Sequence, residues 1–181
     1  MDIAIDIEKK AFEAGFTHAV WIESIELEYD ASLRPCSKEA CDKFGTNWVC
    51  PPGSGSLEEC IEKAKAFGSG ILLQKVTSIT PGSDEHIEHN KNNKLRLTSF
   101  AKSLENEGFK ALALTGGGCN LCEECAYPAE CNNPDDRLSA LSASGINIRK
   151  LCEQAGLEFA FMPDKIFLTS LILANRNEAD S

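Results

Sequence analysis

Four of the nine cysteines in this 181-residue chain fall within sixteen positions, in GGGCNLCEECAYPAEC from Gly116 to Cys131. Cys119, Cys122 and Cys125 are spaced C-x2-C-x2-C, and Cys131 follows after five further residues. Two-residue gaps let a tight loop wrap three thiolates around one object. C-x2-C-x2-C is also the core of bacterial ferredoxin spacing, so a [4Fe–4S] cluster is the first expectation for what is held. Zinc is the alternative, although zinc sites usually pair two separate C-x2-C knuckles from distant segments. The fourth cysteine comes after five residues rather than three and is followed by Asn132, Asn133 and Pro134, a departure from ferredoxin spacing.

A second, looser group precedes it. Cys36, Cys41, Cys50 and Cys60 are separated by four, eight and nine residues. Cys50 stands before Pro51 and Pro52, which stiffen the backbone and remove amide donors. The segment from Arg34 to Gly55 is too polar to need several buried thiols for packing. Cys60 falls on the apolar face of an expected helix, so it reads equally as ligand or core residue. The simplest partition gives each group its own site. In two-cluster ferredoxins, however, the cysteine before proline serves the other cluster. On that pattern Cys50 completes the Cys119, Cys122 and Cys125 site, and Cys131 joins Cys36, Cys41 and Cys60. Cys152, on a core-facing helical position, reads as packing.

The remaining polar residues carry weaker signals. TGGGC follows a strand but lacks G-K-[ST] and does not fit G-x-G-x-x-G, so its glycines point to close backbone approach rather than a phosphate loop. His86 and His89, beside Asp84, Glu85 and Glu88, read as a solvated acidic helix start before a metal face, and His18 as a structural strand residue. Arg34, Arg137 and Arg149 lie near the cysteine segments, where they would either support an anionic cluster or serve solubility.

The elements that must position these groups alternate. Ile3, Ile7, Ala11 and Ala14 recur at helical spacing, with Gly15 as a stop. Thr17–Leu27 reads as a strand. Ser56 and Glu59 form the signature of a capping box that opens a helix with Leu57, Cys60, Ile61 and Ala64 on one face. GILLQKVTSI is a strand, a helix covers about Asn92 to Glu107, and KALALT is a short buried strand running into the glycines. Ile148, Leu151, Cys152 and Ala155 mark a last helix. LEFAFM and KIFLTSLILA read as two strands of a hairpin turning at PDK. This alternation predicts an α/β fold, with α+β the near alternative: one domain over residues 1–181, built on a mixed sheet flanked by helices and carrying two cysteine-rich loops.

Bulk properties narrow the function. Forty-three per cent hydrophobic and 25% charged residues are ordinary globular values. A net charge of −10 argues against nucleic acid and suits a basic protein partner. There is no apolar run of about 18 residues, and the acidic, amphipathic N-terminus is unlike a secretory signal, so no membrane role and a cytoplasmic location are expected. In a reducing compartment clustered cysteines act as ligands or redox groups.

CSKEACDKFGTNWVCPPGSGSLEEC, followed by GGGCNLCEECAYPAECNNPDDRLSALSASGIN, resembles a family of cysteine-rich predicted metal-binding proteins found mainly in anaerobic archaea and bacteria. The resemblance spans about Cys36 to Leu173. It is carried by Cys36, Cys41, Cys50 with its two prolines, Cys119, Cys122, Cys125, Cys131, Pro134 and Gly145. Family members often carry arginine directly after the last cysteine, where this chain has Asn132. The resemblance implies metal or cluster binding without specifying a reaction. Three functions then compete: an iron–sulfur protein exchanging electrons with a protein partner, a zinc-stapled interaction domain, and a cluster-dependent enzyme with an open coordination position.

Overall fold

In two strands the apolar residues are continuous rather than alternating, which means both faces are covered. Strand β2, Ser69–Thr77, buries five consecutive residues from Gly70 to Gln74. Strand β5, Ile166–Arg176, buries six, from Thr169 to Ala174. The two pair antiparallel along their shared length, with Leu72 opposite Leu171. The computed structural model describes residues 3–23, 26–34, 39, 41–119 and 121–177.

β5 is the middle of a five-stranded mixed sheet, and the fold is α/β. β2 lies on one side of it, followed by the edge strand β1, His18–Ile22. On the other side are β3, Phe109–Thr115, and the two-residue β4, Ser139–Ala140. All pairs are antiparallel except β3 with β4.

Side chains leave alternate faces of each strand and build a core on both. Ile71, Leu73 and Ile172 meet helix α1 (Ile3–Glu13) through Ile7 and Ala11, and α3 (Asp84–Asn106) through Leu97, Phe100 and Leu104. Leu72, Leu171 and Leu173 face the opposite way. They pack on Ala64 of α2 (Leu57–Lys65) and on Leu151 and Cys152 of α4 (Ile148–Gln154).

The helices start where their caps dictate. At α2 the Glu59 amide donates to Ser56 Oγ at 3.1 Å, and the Ser56 amide donates to Glu59 Oε2 at 2.7 Å, a complete capping box. α3 begins earlier than periodicity predicts, because Ser83 caps it by accepting from the His86 amide at 3.1 Å. Asp84 and Glu85 complement the dipole of that first turn.

Three strand boundaries differ from the sequence expectation. β1 stops at Ile22 because its ladder partner there is Gly70, next to the start of β2. LEFAFM is not a strand. Both edges of β5 are already occupied by β2 and β3, so no hairpin partner can be admitted. Residues 157–162 instead cross the helix-α4 side, with Leu157 and Phe159 packed on that core. β4 has only two residues, too few for a periodic signal. Among the described residues no helix is long and apolar enough to cross a membrane.

Ile172 is fully buried at the centre of the sheet. Ile172→Ala should lower unfolding free energy by about 2–5 kcal/mol, read as a shifted urea midpoint with an unchanged slope.

Candidate metal centre

The chain leaves β3 at Thr115 through Gly116, Gly117 and Gly118, and returns at β4, which pairs with Leu114 and Thr115. The Leu141 amide then donates to the Thr115 carbonyl at 3.0 Å. Residues 116–138 are therefore a loop with both stems held by the sheet. α3 runs back along β3, so its first half lies at the strand end where the cysteines begin.

Cys119, Cys122, Cys125 and Cys131 all line one cavity of about 330 Å³. Asn47, Trp48 and Val49 of the first cysteine segment line it too, as do Asn90 and Lys94 of α3. Each of the four thiols is partly buried, and Cys119 packs against the α1–α3 core. Asn133 Nδ2 donates to Cys122 Sγ at 3.1 Å, an amide aimed at sulfur. Among the described residues no three His, Cys, Asp or Glu side chains converge closely enough to hold one ion.

Lys94 is the electrostatic centre of this arrangement. It is 1% exposed, and among the described residues no carboxylate pairs with it. Burial pulls its ammonium below the ordinary lysine range, while thiolate charge on Cys119 and Cys50 pushes it back up. Thiolate is the form of cysteine that binds metal. Four cysteines lining one cavity beside a buried lysine are a donor set that fits a thiolate-bound metal group.

The first cysteine segment is locked onto this loop. Asn47 Oδ1 accepts from the Val49 and Cys50 amides at 3.1 and 3.0 Å, fixing the turn that presents Cys50. Trp48 Nε1 donates to the Ala129 carbonyl at 2.8 Å, and its ring meets Tyr127 edge-on at 5.1 Å. Arg137 lies over the same indole at 5.8 Å. At Gly53 an added Cβ would come within 2.7 Å of the Asn47 carbonyl and 3.0 Å of Tyr127, so the two loops touch where only glycine fits.

The predicted ligands thus separate by place. Cys50 shares Lys94 with Cys119. Cys41 is partly buried in a turn of the first segment, where its carbonyl accepts from the Phe44 amide. Cys60 is 8% exposed, packs with Ala140 and Ala143, and donates its thiol to the Ser54 carbonyl at 3.4 Å. Cys36 lies outside the described residues. Cys152 is fully buried, with Gln74 Nε2 at 3.9 Å from its sulfur, and burial raises its pKa to about 11.

Other candidates take structural roles here. His86 Nδ1 accepts from the Gly82 amide at 2.8 Å, and His89 stands 3.9 Å from Glu85 one turn away. His18 is exposed at the start of β1. Arg34 donates to the Gly55 carbonyl at 2.6 Å. Arg149 lies outside the thiol cavity and stacks on Phe159 at 5.5 Å.

Sequence reading missed Lys94, although a signal for it exists. The buried stripe of α3 runs Leu104, Ala101, Phe100, Leu97, and one turn further back it reaches Lys94 and Asn93. A charged residue on the core-facing stripe of an amphipathic helix requires a buried partner.

Residues 20–174 match the model of a family described as predicted metal-binding protein (DUF2284). No curated protein and no solved structure matches the chain significantly.

Cys152 and the cavity cysteines should separate chemically. Iodoacetamide at pH 8 should label Cys119, Cys122, Cys125 and Cys131 in metal-free protein much faster than Cys152. With a pKa of about 11, Cys152 holds only on the order of one thiolate in a thousand at that pH. Peptide mass spectrometry over time measures the difference.

Proposed function

The chain belongs to the family of predicted metal-binding proteins, and from that premise we propose that its thiol cavity holds a [4Fe–4S] cluster and that the protein exchanges single electrons with a protein partner. The observation that carries this reading is the common cavity of Cys119, Cys122, Cys125 and Cys131, faced by the buried ammonium of Lys94. Four cysteines on one cavity wall, three of them at C-x2-C-x2-C spacing, suit a multi-atom cluster better than a single ion. When bound, such a cluster supplies reversible one-electron chemistry.

In this reading the protein groups have distinct tasks. Cys119, Cys122 and Cys125 are three thiolate ligands. Cys131, on the cavity wall, and Cys50, which shares Lys94 with Cys119, contend for the fourth position. Cys36 and Cys41, with whichever of these two is left over, are candidates for a second site, and Cys60 is a packing residue. Asn133 donates to the Cys122 sulfur and disperses its charge. Trp48 lines the thiol cavity and is braced by Tyr127, which it meets edge-on. The net charge of −10 suits a partner with a basic docking face.

Protein prepared without oxygen should be brown, contain iron and acid-labile sulfide in equal amounts, and bleach on reduction. Cys122→Ser and Cys125→Ser should lower the iron content sharply, while Cys60→Ser should leave it unchanged. A colourless protein with stoichiometric zinc, unfolding on chelation, would overturn the cluster in favour of a zinc staple.

Lys94 also fixes the direction of a potential shift. A reduced cluster carries one more negative charge, so a nearby ammonium favours reduction. Lys94→Met should therefore make the potential more negative by roughly 30–60 mV, on the scale where 59 mV is tenfold for one electron. Lys94→Arg should restore much of the difference. Spectroelectrochemical titration of the three proteins measures it.

A further inference from the structure

Beside the thiol cavity lies a larger one, of about 740 Å³, and Asn90 and Gly117 belong to the walls of both. We propose that this second cavity binds a small organic acid with an aromatic or similarly apolar body, held next to the metal centre. The binding site rests on its own walls; its adjacency to a metal rests on the reading given under Proposed function.

Its size lies within the range of small-molecule sites, roughly 300–1,000 Å³, and so does its composition, mostly apolar with a few convergent polar groups. Phe159, Phe161 and Phe167 supply aromatic surface. Asn93 and Thr115, 1% and 2% exposed, are polar members of the lining. The fold does not need Phe161 for its core. The side chain is 88% exposed and held edge-on to Phe159 at 6.0 Å, so it presents a ring to water at the edge of the cavity. A ligand body lying on that ring would remove both surfaces from water.

Charge decides the class of ligand. The chain has 28 acidic residues against 18 basic ones, yet among the described residues no carboxylate lines this cavity. Arg149 is the charged residue in its wall. Its guanidinium is steadied against Phe159 at 5.5 Å, and among the described residues no carboxylate pairs with it. A cation held over an aromatic ring, with its donors free, is suited to a carboxylate. Cationic ligands meet no counter-charge in this wall.

The test uses full-length protein prepared without oxygen, with iron and zinc measured on the same sample. Calorimetric titration compares phenylacetate with its neutral isostere phenylacetamide. The acid should bind at least about tenfold more tightly than the amide, and Arg149→Gln should remove that preference. Phe161→Ala should weaken phenylacetate binding about fivefold and leave the melting temperature unchanged, since the side chain is exposed. The proposal is overturned if phenylacetate fails to bind at millimolar concentration, if acid and amide bind equally, or if both variants bind it as well as the parent protein. Phenylacetate binding to protein that lacks iron would leave this site standing and remove the cluster, whereas iron-loaded protein that ignores phenylacetate would do the reverse.

Discussion

A lysine that is 1% exposed and has no carboxylate partner among the described residues is held in the interior at a cost, and burial lowers its pKa. Leaving an ammonium uncompensated in the interior is costly enough that it would normally shed its proton. Here the groups within electrostatic reach are the thiols of Cys119 and Cys50. Negative charge on those two cysteines acts against the desolvation and favours the ammonium. Their arrangement follows from one antiparallel pairing, in which α3 returns along β3 and brings Lys94 to the end of the strand where the cysteine loop starts.

The rest of the centre keeps that pairing in place. The β3–β4 ladder holds the stems of the cysteine loop, which otherwise contains little regular structure. Contacts among Trp48, Tyr127, Arg137 and Gly53 join the first cysteine segment to the second. Neither segment has a substantial apolar core of its own. Their order depends on each other and on the sheet end, and a bound metal group would add its binding energy to that order. Cys152 and Cys60 are the two buried cysteines among the described residues. Their thiols fill core space on the helical side of the sheet.

How much of this was legible in the sequence depended on whether a feature was local. Caps, glycine stops and periodic faces identified α1, α2 and α4, because those signals lie within a few residues of each other. The cysteine spacing identified the loop that became the thiol cavity. The failures came from tertiary context. LEFAFM alternates like a strand, but β5 has no free edge for it, and its Phe161 lies in water instead. β4 exists because β3 offers an edge to two returning residues. Lys94 was hidden because a helix begun at about Asn92 puts it in the first turn, where a charge reads as solvated, whereas the observed start at Asp84 makes Asn93 and Lys94 mid-helix positions on the buried stripe. Whether Cys50 or Cys131 is the nearer relative of Cys119 is likewise a question of chain folding that spacing leaves open.

The point where the two cavities meet explains the glycines better than either cavity does alone. Gly117 has φ +74°, a left-handed conformation that L side chains rarely adopt, and an added Cβ would stand 3.9 Å from Lys94 Nζ. Its contact distance alone would tolerate a small side chain; its backbone conformation would not. Glycine therefore does two things at this position. It lets β3 turn sharply into the cysteine loop, and it adds no side chain of its own to a wall that borders both cavities. A protein that only carried electrons would need the first property. The second matters to the binding site proposed above, because Gly117 borders both cavities.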